Sequence, residues 1–246
     1  MVSTKLKVVI LAAGRGNRMS NLGDIVPKCL IEYEGRTLIQ RILDILFNCS
    51  INNVTIVLGY KKDQLINHIK EVFPNKAINF VYNPEYLNKE NIYSVWCARE
   101  EFNHDLIMMD ADLLINQSVI DQIINYNQNN FLVVRKEIHP NEMIVLLKKG
   151  IVVELSQNPE NRKLKFDQMV ESVGIMKFSE IAAKSLIEEI NTFLNNSNFD
   201  QYYEAAVNNI IKKLDFSILK LNNDSIVVEL DTIEDVSNLK KLALSD

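Results

Sequence analysis

Cysteine is scarce: 246 residues hold only Cys29, Cys49 and Cys97. Their spacing fits no metal-ligand motif and three cannot all pair, which excludes a disulfide scaffold and makes a reducing, cytoplasmic setting the expectation. Each reads as a core residue rather than a nucleophile. His68, His104 and His139 lie far apart, giving no histidine metal cluster, and are expected at the surface. No stretch approaches the roughly 18 apolar residues that a membrane span needs. Lys5 and Lys7 precede a strand-like run, but no apolar segment with a cleavage site follows, so no targeting leader is expected. Positive charge is not in excess either. Lys and Arg number 27 against 32 Asp and Glu, a formal net charge of -5, so the basic surface of a general nucleic-acid binder is lacking. A few local cations still suffice for small anionic substrates.

What is present is an ordinary globular composition, 47% hydrophobic and 24% charged. The first half alternates β-branched runs with helical patterns, the signature of β-α-β units. Strands are predicted at Val8–Leu11, Val54–Leu58, Ile78–Tyr82 and Leu106–Met109. Between them lie a helix with Thr37 and Gln40 in a capping-box pattern before Leu38, Ile39, Ile42, Leu43 and Leu46, a polar helix over Lys61–Val72, and a helix from Asn91. Consecutive strands follow at Phe131–Val134, Met143–Leu147 and Ile151–Leu155 with Lys149-Gly150 as a hairpin turn, implying an antiparallel extension. Helices over Ser179–Leu194 and Asp200–Leu214, a strand at Ile226–Leu230 and a helix capped by Thr232 with Asp235 complete the chain. Asn195–Asn198 reads as a loop, and neither linker nor repeat is visible. The expectation is one α/β domain with a Rossmann-like mixed, mostly parallel sheet flanked by helices.

The strongest chemical signal is V-V-I-L-A-A-G-R-G-N-R-M at residues 8–19 with P-K-C-L at 27–30. Gly14 and Gly16 directly after a strand let backbone N–H groups approach phosphate oxygens, and Arg15, Arg18 and Lys28 add charge where a triphosphate lies. In-line displacement at phosphorus requires such cations, because charge spreads over the phosphoryl oxygens as the leaving group departs. Met19 stands where a Rossmann fingerprint places its third glycine and G-K-[ST] is absent, which disfavours a dehydrogenase or a P-loop kinase. Asp110 and Asp112 follow the buried run L-I-M-M, and ligands of open α/β sheets bind at the carboxyl ends of strands. Mg²⁺ takes one or two carboxylates plus phosphate oxygens, so a D-x-D there fits it; a solvated turn with Asp112 capping a helix is the structural alternative. Glu229 and Asp231 alternate on the last strand and share a face, although Asp231 or Thr232 can equally cap the next helix.

The string L-A-A-G-R-G-N-R-M with P-K downstream resembles the nucleotidyltransferases that activate sugar phosphates and phosphocholine. With N-I-Y-S at 91–94, D-A-D at 110–112 and E-L-D-T at 229–232, it is most similar to the choline-phosphate cytidylyltransferase branch. The resemblance implies the nucleotide-diphospho-sugar transferase fold, with a nucleotide-binding part over about residues 1–115 and an acceptor-binding part over about 116–246. It implies CTP or another NTP as one substrate, a small phosphorylated or phosphonylated acceptor as the other, and a monomer or homodimer without nucleic acid or membrane partners. Arg18 and Lys28 take the catalytic places. Leu11, Ala13, Gly14, Arg15, Gly16, Asn17 and Asp110 hold the nucleotide; Asp112 and Asp231, with Glu229 in support, hold Mg²⁺.

On the acceptor side, Asn91, Tyr93 and Trp96 start a helix beside the site, Trp96 either stacking on a cation or packing. Glu171 in V-E-S-V-G resembles the glutamate that holds the acceptor in sugar-phosphate relatives, or is a plain strand residue. Tyr202 and Tyr203 before Glu204 resemble the place where choline-phosphate enzymes build an ammonium pocket. Tyr203 also falls on the apolar stripe with Val207, Ile210, Ile211 and Leu214, so Tyr202 is the better ligand. Met143 stands where choline enzymes offer an aromatic cage residue, and a primary amine such as 2-aminoethylphosphonate becomes as suitable as phosphocholine. Competing readings are a sugar-1-phosphate or inositol-phosphate nucleotidyltransferase and a nucleotide-binding regulatory module without catalysis.

Overall fold

The computed structural model describes residues 6–16, 26–161, 165–196, 200–230 and residue 235. The first half follows the alternation in the sequence. Strand β1 (Lys7–Ala12) leads to a two-stranded ribbon, β2 (Glu32–Tyr33) and β3 (Arg36–Thr37), and to helix α1 (Leu38–Asn48). Then come β4 (Val54–Leu58), α2 (Lys62–Val72), β5 (Ile78–Tyr82), α3 (Asn91–Cys97), β6 (Leu106–Asp110), β7 (Leu113–Ile115) and α4 (Gln117–Asn125). The second half holds β8 (Phe131–Arg135), β9 (Ile144–Lys148), β10 (Ile151–Ser156), β11 (Gln168–Phe178), α5 (Glu180–Asn195), α6 (Glu204–Ile211), β12 (Ser217–Lys220) and β13 (Val227–Glu229).

Local chemistry explains these elements. All five residues of β4 are buried, as a central strand covered on both faces requires. The Thr37 side chain accepts from the Gln40 N–H at 3.2 Å and caps α1, whose buried residues are the predicted Leu38, Ile39, Ile42, Leu43 and Leu46. Lys149 and Gly150, at φ 52° and 78°, turn β9 back into β10 with the left-handed pair that a tight hairpin demands.

The main sheet runs β10-β9-β11-β6-β1-β4-β5, with β8 joined to β11 and β12 joined to β8. Neighbours among β6, β1, β4 and β5 are parallel, whereas β11 is antiparallel to β6, β8 and β9. The mixed, mostly parallel sheet with the implied antiparallel extension is therefore present. Helices α1, α2 and α4 cover one face and α3, α5 and α6 the other, each over its own apolar cluster.

Some elements depart from the sequence reading. The long strand β11 and the short β7 and β12 carry no strong periodic signal and emerge only through pairing, while helix α4, with Val119, Ile120 and Ile123 buried on one face, is an element that the sequence reading does not assign. The helix predicted over Asp200–Leu214 is shortened to Glu204–Ile211. Asp235 is helical, while Thr232, the predicted cap, lies outside the described residues; of the predicted Asn195–Asn198 loop, Asn195 closes helix α5, Asn196 caps it, and the other two residues lie outside the described ones. Among the described residues no helix is long and apolar enough to cross a membrane.

Candidate active site

Strands β1 and β6 end side by side, with Leu11 in register with Asp110 and the Ala111 N–H donating to the Leu11 carbonyl at 3.2 Å. Beyond these ends lie two adjoining cavities of about 280 and 460 Å³ that share walls at Ala13, Gly14, Gly16, Lys28, Asn91 and Ser94. The smaller also touches Leu11, Asp110, Asp112 and Glu229; the larger touches Arg15, Asp200 and Tyr202. A glycine-bearing turn, a lysine and three carboxylates thus meet at the carboxyl end of a largely parallel sheet, where such folds bind ligands.

Close backbone approach builds this cleft. Gly16 sits at φ 71°, and a Cβ there would lie 2.8 Å from Lys28 Cγ, so the glycine lets the lysine stem run along the loop. The Tyr60 N–H donates to the Ala13 carbonyl at 3.0 Å, and a Cβ on Gly59 would come within 2.4 Å of that same oxygen. Lys28 Nζ stands 3.3 Å from Asp112 Oδ2, both side chains being largely shielded from water. Desolvating a part-buried pair of this kind can cost more than its attraction returns.

Asp110 is enclosed. Burial raises its pKa well above the usual carboxylate range, and Asp112, Glu229 and Glu204 add repulsion that Lys28 only partly offsets. Gly174 of β11, at φ 71°, makes room for it, since a Cβ there would lie 2.4 Å from Asp110 Oδ2. Glu204 is pushed up to about 7 by burial, although the Tyr203 hydroxyl donates to it, and its Oε2 is buried without a hydrogen-bond partner. Asn91 Oδ1 accepts from the Tyr203 N–H at 2.8 Å, tying the start of α3 to the segment bearing Glu204. Behind them, the Asn83 side-chain amide donates to Ser94 Oγ at 2.9 Å.

Of the sequence-predicted site residues, the structure brings Leu11, Ala13, Gly14, Arg15, Gly16, Lys28, Asn91, Asp110, Asp112, Tyr202 and Glu229 to these two cavities. Asn17, Arg18 and Asp231 lie outside the described residues. Four acceptor candidates are placed elsewhere. Trp96 donates through Nε1 to Asn191 of α5 at 2.9 Å and stacks on Tyr93, whose face takes Lys89 Nζ at 4.0 Å. Tyr203 is 2% exposed on the apolar stripe of α6, with its hydroxyl turned to Glu204. Glu171 departs furthest from expectation: its fully buried carboxylate accepts from Arg135 and from the His139 N–H, and lines neither cavity. Gly59, Asn83 and Gly174 escape sequence reading because their roles depend on neighbours distant in the chain; Ser94, within N-I-Y-S, and Glu204, beside the tyrosines, carried a signal.

A carboxylate pair beside a lysine suits a divalent cation. Among the described residues no three metal-ligating side chains converge, so Asp112 and Glu229 would furnish part of a ligand set that phosphate oxygens and water complete.

Residues 8–172 match the model of the MobA-like NTP transferase domain. The chain belongs to this family. The NTP transferase is 25% identical over 240 residues to a choline-phosphate cytidylyltransferase of Streptococcus pneumoniae, covering 96% of this chain and 98% of that protein. To a 2-aminoethylphosphonate cytidylyltransferase of Lancefieldella rimae it is 27% identical over 236 residues, covering 95% and 91%. The solved CTP:phosphocholine cytidylyltransferase from Streptococcus pneumoniae shares its fold at a TM-score of 0.81 with 22% identity, over 97% of this chain and 99% of that one.

Proposed function

We propose that this NTP transferase moves CMP from CTP onto a small phosphate or phosphonate that also carries an ammonium group, releasing pyrophosphate. The observation that carries the reading is the meeting of both charges in one cleft. Glycine backbone, Arg15 and Lys28 stand ready for a triphosphate beside Asp110, Asp112 and Glu229, and Glu204, which lines neither cavity but adds its repulsion to Asp110, leaves its Oε2 unpartnered. A buried cluster of carboxylates either keeps protons or takes up a cation that offsets its charge. The acceptor's ammonium and a divalent ion supply that charge.

In the reaction, an acceptor oxygen forms a bond to the α-phosphorus of CTP while the bond from that phosphorus to its bridging oxygen breaks, and pyrophosphate leaves with the electron pair. No covalent bond to the protein is needed. Lys28 holds phosphoryl oxygens and offsets charge as it develops. Gly14 and Gly16 let the backbone approach the phosphates. Mg²⁺, held by Asp112 and Glu229 and by Asp231 from the sequence pattern, would contribute Lewis acidity toward the phosphates. Similarity to two cytidylyltransferases supports cytosine as the base.

The test is pyrophosphate release with CTP, UTP or dTTP against phosphocholine, phosphoethanolamine, 2-aminoethylphosphonate and glucose 1-phosphate. Release with CTP and an amino-alcohol phosphate or phosphonate is expected. Activity confined to glucose 1-phosphate, or none with any pair, would overturn the proposal.

A further inference from the structure

Glu171, 0% exposed, ties together three segments that are separate in sequence. It faces Arg135 across the β11–β8 pairing, and its Oε1 accepts from Arg135 Nε and NH2. Its Oε2 accepts from the His139 N–H at 2.6 Å and stands 3.0 Å from His139 Nδ1, pinning the connection between β8 and β9. The remaining arm of the guanidinium, NH1, donates to the Val227 carbonyl at 3.3 Å. Val227 opens β13, and β13 pairs with β7 alone. The ends of that small ribbon are closed by the Asn116 N–H on the Ile226 carbonyl and the Leu230 N–H on the Asp112 carbonyl.

The ribbon matters because it carries the acidic groups. Asp112 lies directly before β7 and Glu229 closes β13, whereas Asp110 ends β6 of the main sheet. Arg135 links β13 to the main sheet by a charged donor, and Glu171 fixes the plane of its guanidinium. Neither reaches the cleft. Arg135, His139 and Val227 line a separate cavity of about 720 Å³ that shares no residue with the cleft.

We propose that Glu171 and Arg135 are positioning residues: they clamp the β7–β13 ribbon to the main sheet and thereby set where Asp112 and Glu229 stand relative to Asp110 and Lys28. This rests on the cleft being the site of nucleotidyl transfer. The two act as one unit, because a guanidinium held at one end by Glu171 Oε1 through Nε and NH2 and at the other by a carbonyl loses its aim when either end is removed. Arg135→Lys keeps the charge but cannot span both partners. Glu171→Gln keeps the shape but sets an amide N–H against either the guanidinium or the His139 N–H.

The experiment compares R135K, E171Q and the double variant by amide hydrogen exchange and by steady-state kinetics. Exchange at Asn116 and Leu230 is expected to quicken at least tenfold while β4 amides stay at the wild-type rate. The turnover number is expected to fall about tenfold with the KM for CTP within twofold of wild type, and the double variant should lose no more than either single one. Wild-type exchange at both ribbon amides, a loss expressed in KM for CTP alone, or additive losses would overturn the clamp. Exchange needs no substrate, so it judges the clamp even where the wild-type protein shows no nucleotidyl transfer, an outcome that would count against the cleft reading instead.

Discussion

At the residue scale, Lys28 and Glu204 hold opposite ends of the site's charge. Lys28 faces Asp112 at 3.3 Å beside the glycine loop. Lys28→Ala should lower turnover by roughly 10² to 10³ with the fold intact, the range for removing one preorganised charge from a transition state. Equal rates of pyrophosphate release would remove its role. Glu204 has its pKa raised from 4.5 to about 7 by burial. The native chain then keeps a proton that the unfolded chain releases between those values, so this stabilisation is whole below about pH 4.5 and is lost as pH rises through about 7. Glu204→Gln should match wild-type thermal stability near pH 4 and exceed it by a few degrees near pH 8. The ionised form is also the one that attracts an ammonium, next to Asp110, Glu229 and the Tyr203 hydroxyl. Wild-type kcat/KM for the acceptor should rise across pH 7 relative to the Gln variant, and parallel pH profiles would refute that.

At the scale of elements, sequence reading succeeds where one segment's own pattern decides its fate. Val54–Leu58 reads as a central strand because every residue is apolar or β-branched, and Thr37 reads as a cap because its hydroxyl has one local donor to satisfy. The glycine loop and the D-x-D were legible for the same reason, being strand-end motifs, and Lys28 was legible through the P-K-C-L that follows the loop. β11 and Glu171 were not. A strand that crosses a mixed sheet beside β6, β8 and β9 takes its side-chain environment from three distant neighbours, and no local period records them. Gly174 likewise discloses its purpose only once Asp110 is packed against it. Gly174→Ala should therefore cost at least tenfold in kcat/KM as well as stability, whereas Gly150→Ala, equally left-handed but with open space around it, should cost about 1 kcal/mol of strain and leave kinetics unchanged. Chemical denaturation and steady-state assays on both variants separate steric intrusion from backbone strain.

At the scale of the whole molecule, the apolar clusters on both faces of the sheet carry the fold, and among the described residues no metal-ligating triad contributes to it. Chelation of divalent ions should abolish pyrophosphate release and shift the unfolding midpoint by no more than about 2 °C, with added Mg²⁺ restoring turnover. A large drop in the midpoint would place an ion in the structural frame rather than at the phosphates.

The pairing of Val227–Glu229 with Leu113–Ile115 joins positions more than a hundred residues apart. During synthesis the glycine loop, Lys28 and Asp112 emerge long before their last acidic neighbour, and β7 waits with its edge bare, open to wrong pairing. On the proposed function, competence for nucleotidyl transfer would arrive in one late event, when the stretch up to Leu230 leaves the ribosome and zips onto that edge. A nascent chain stalled upstream of it would hold the glycine loop, Lys28 and Asp112 without Glu229.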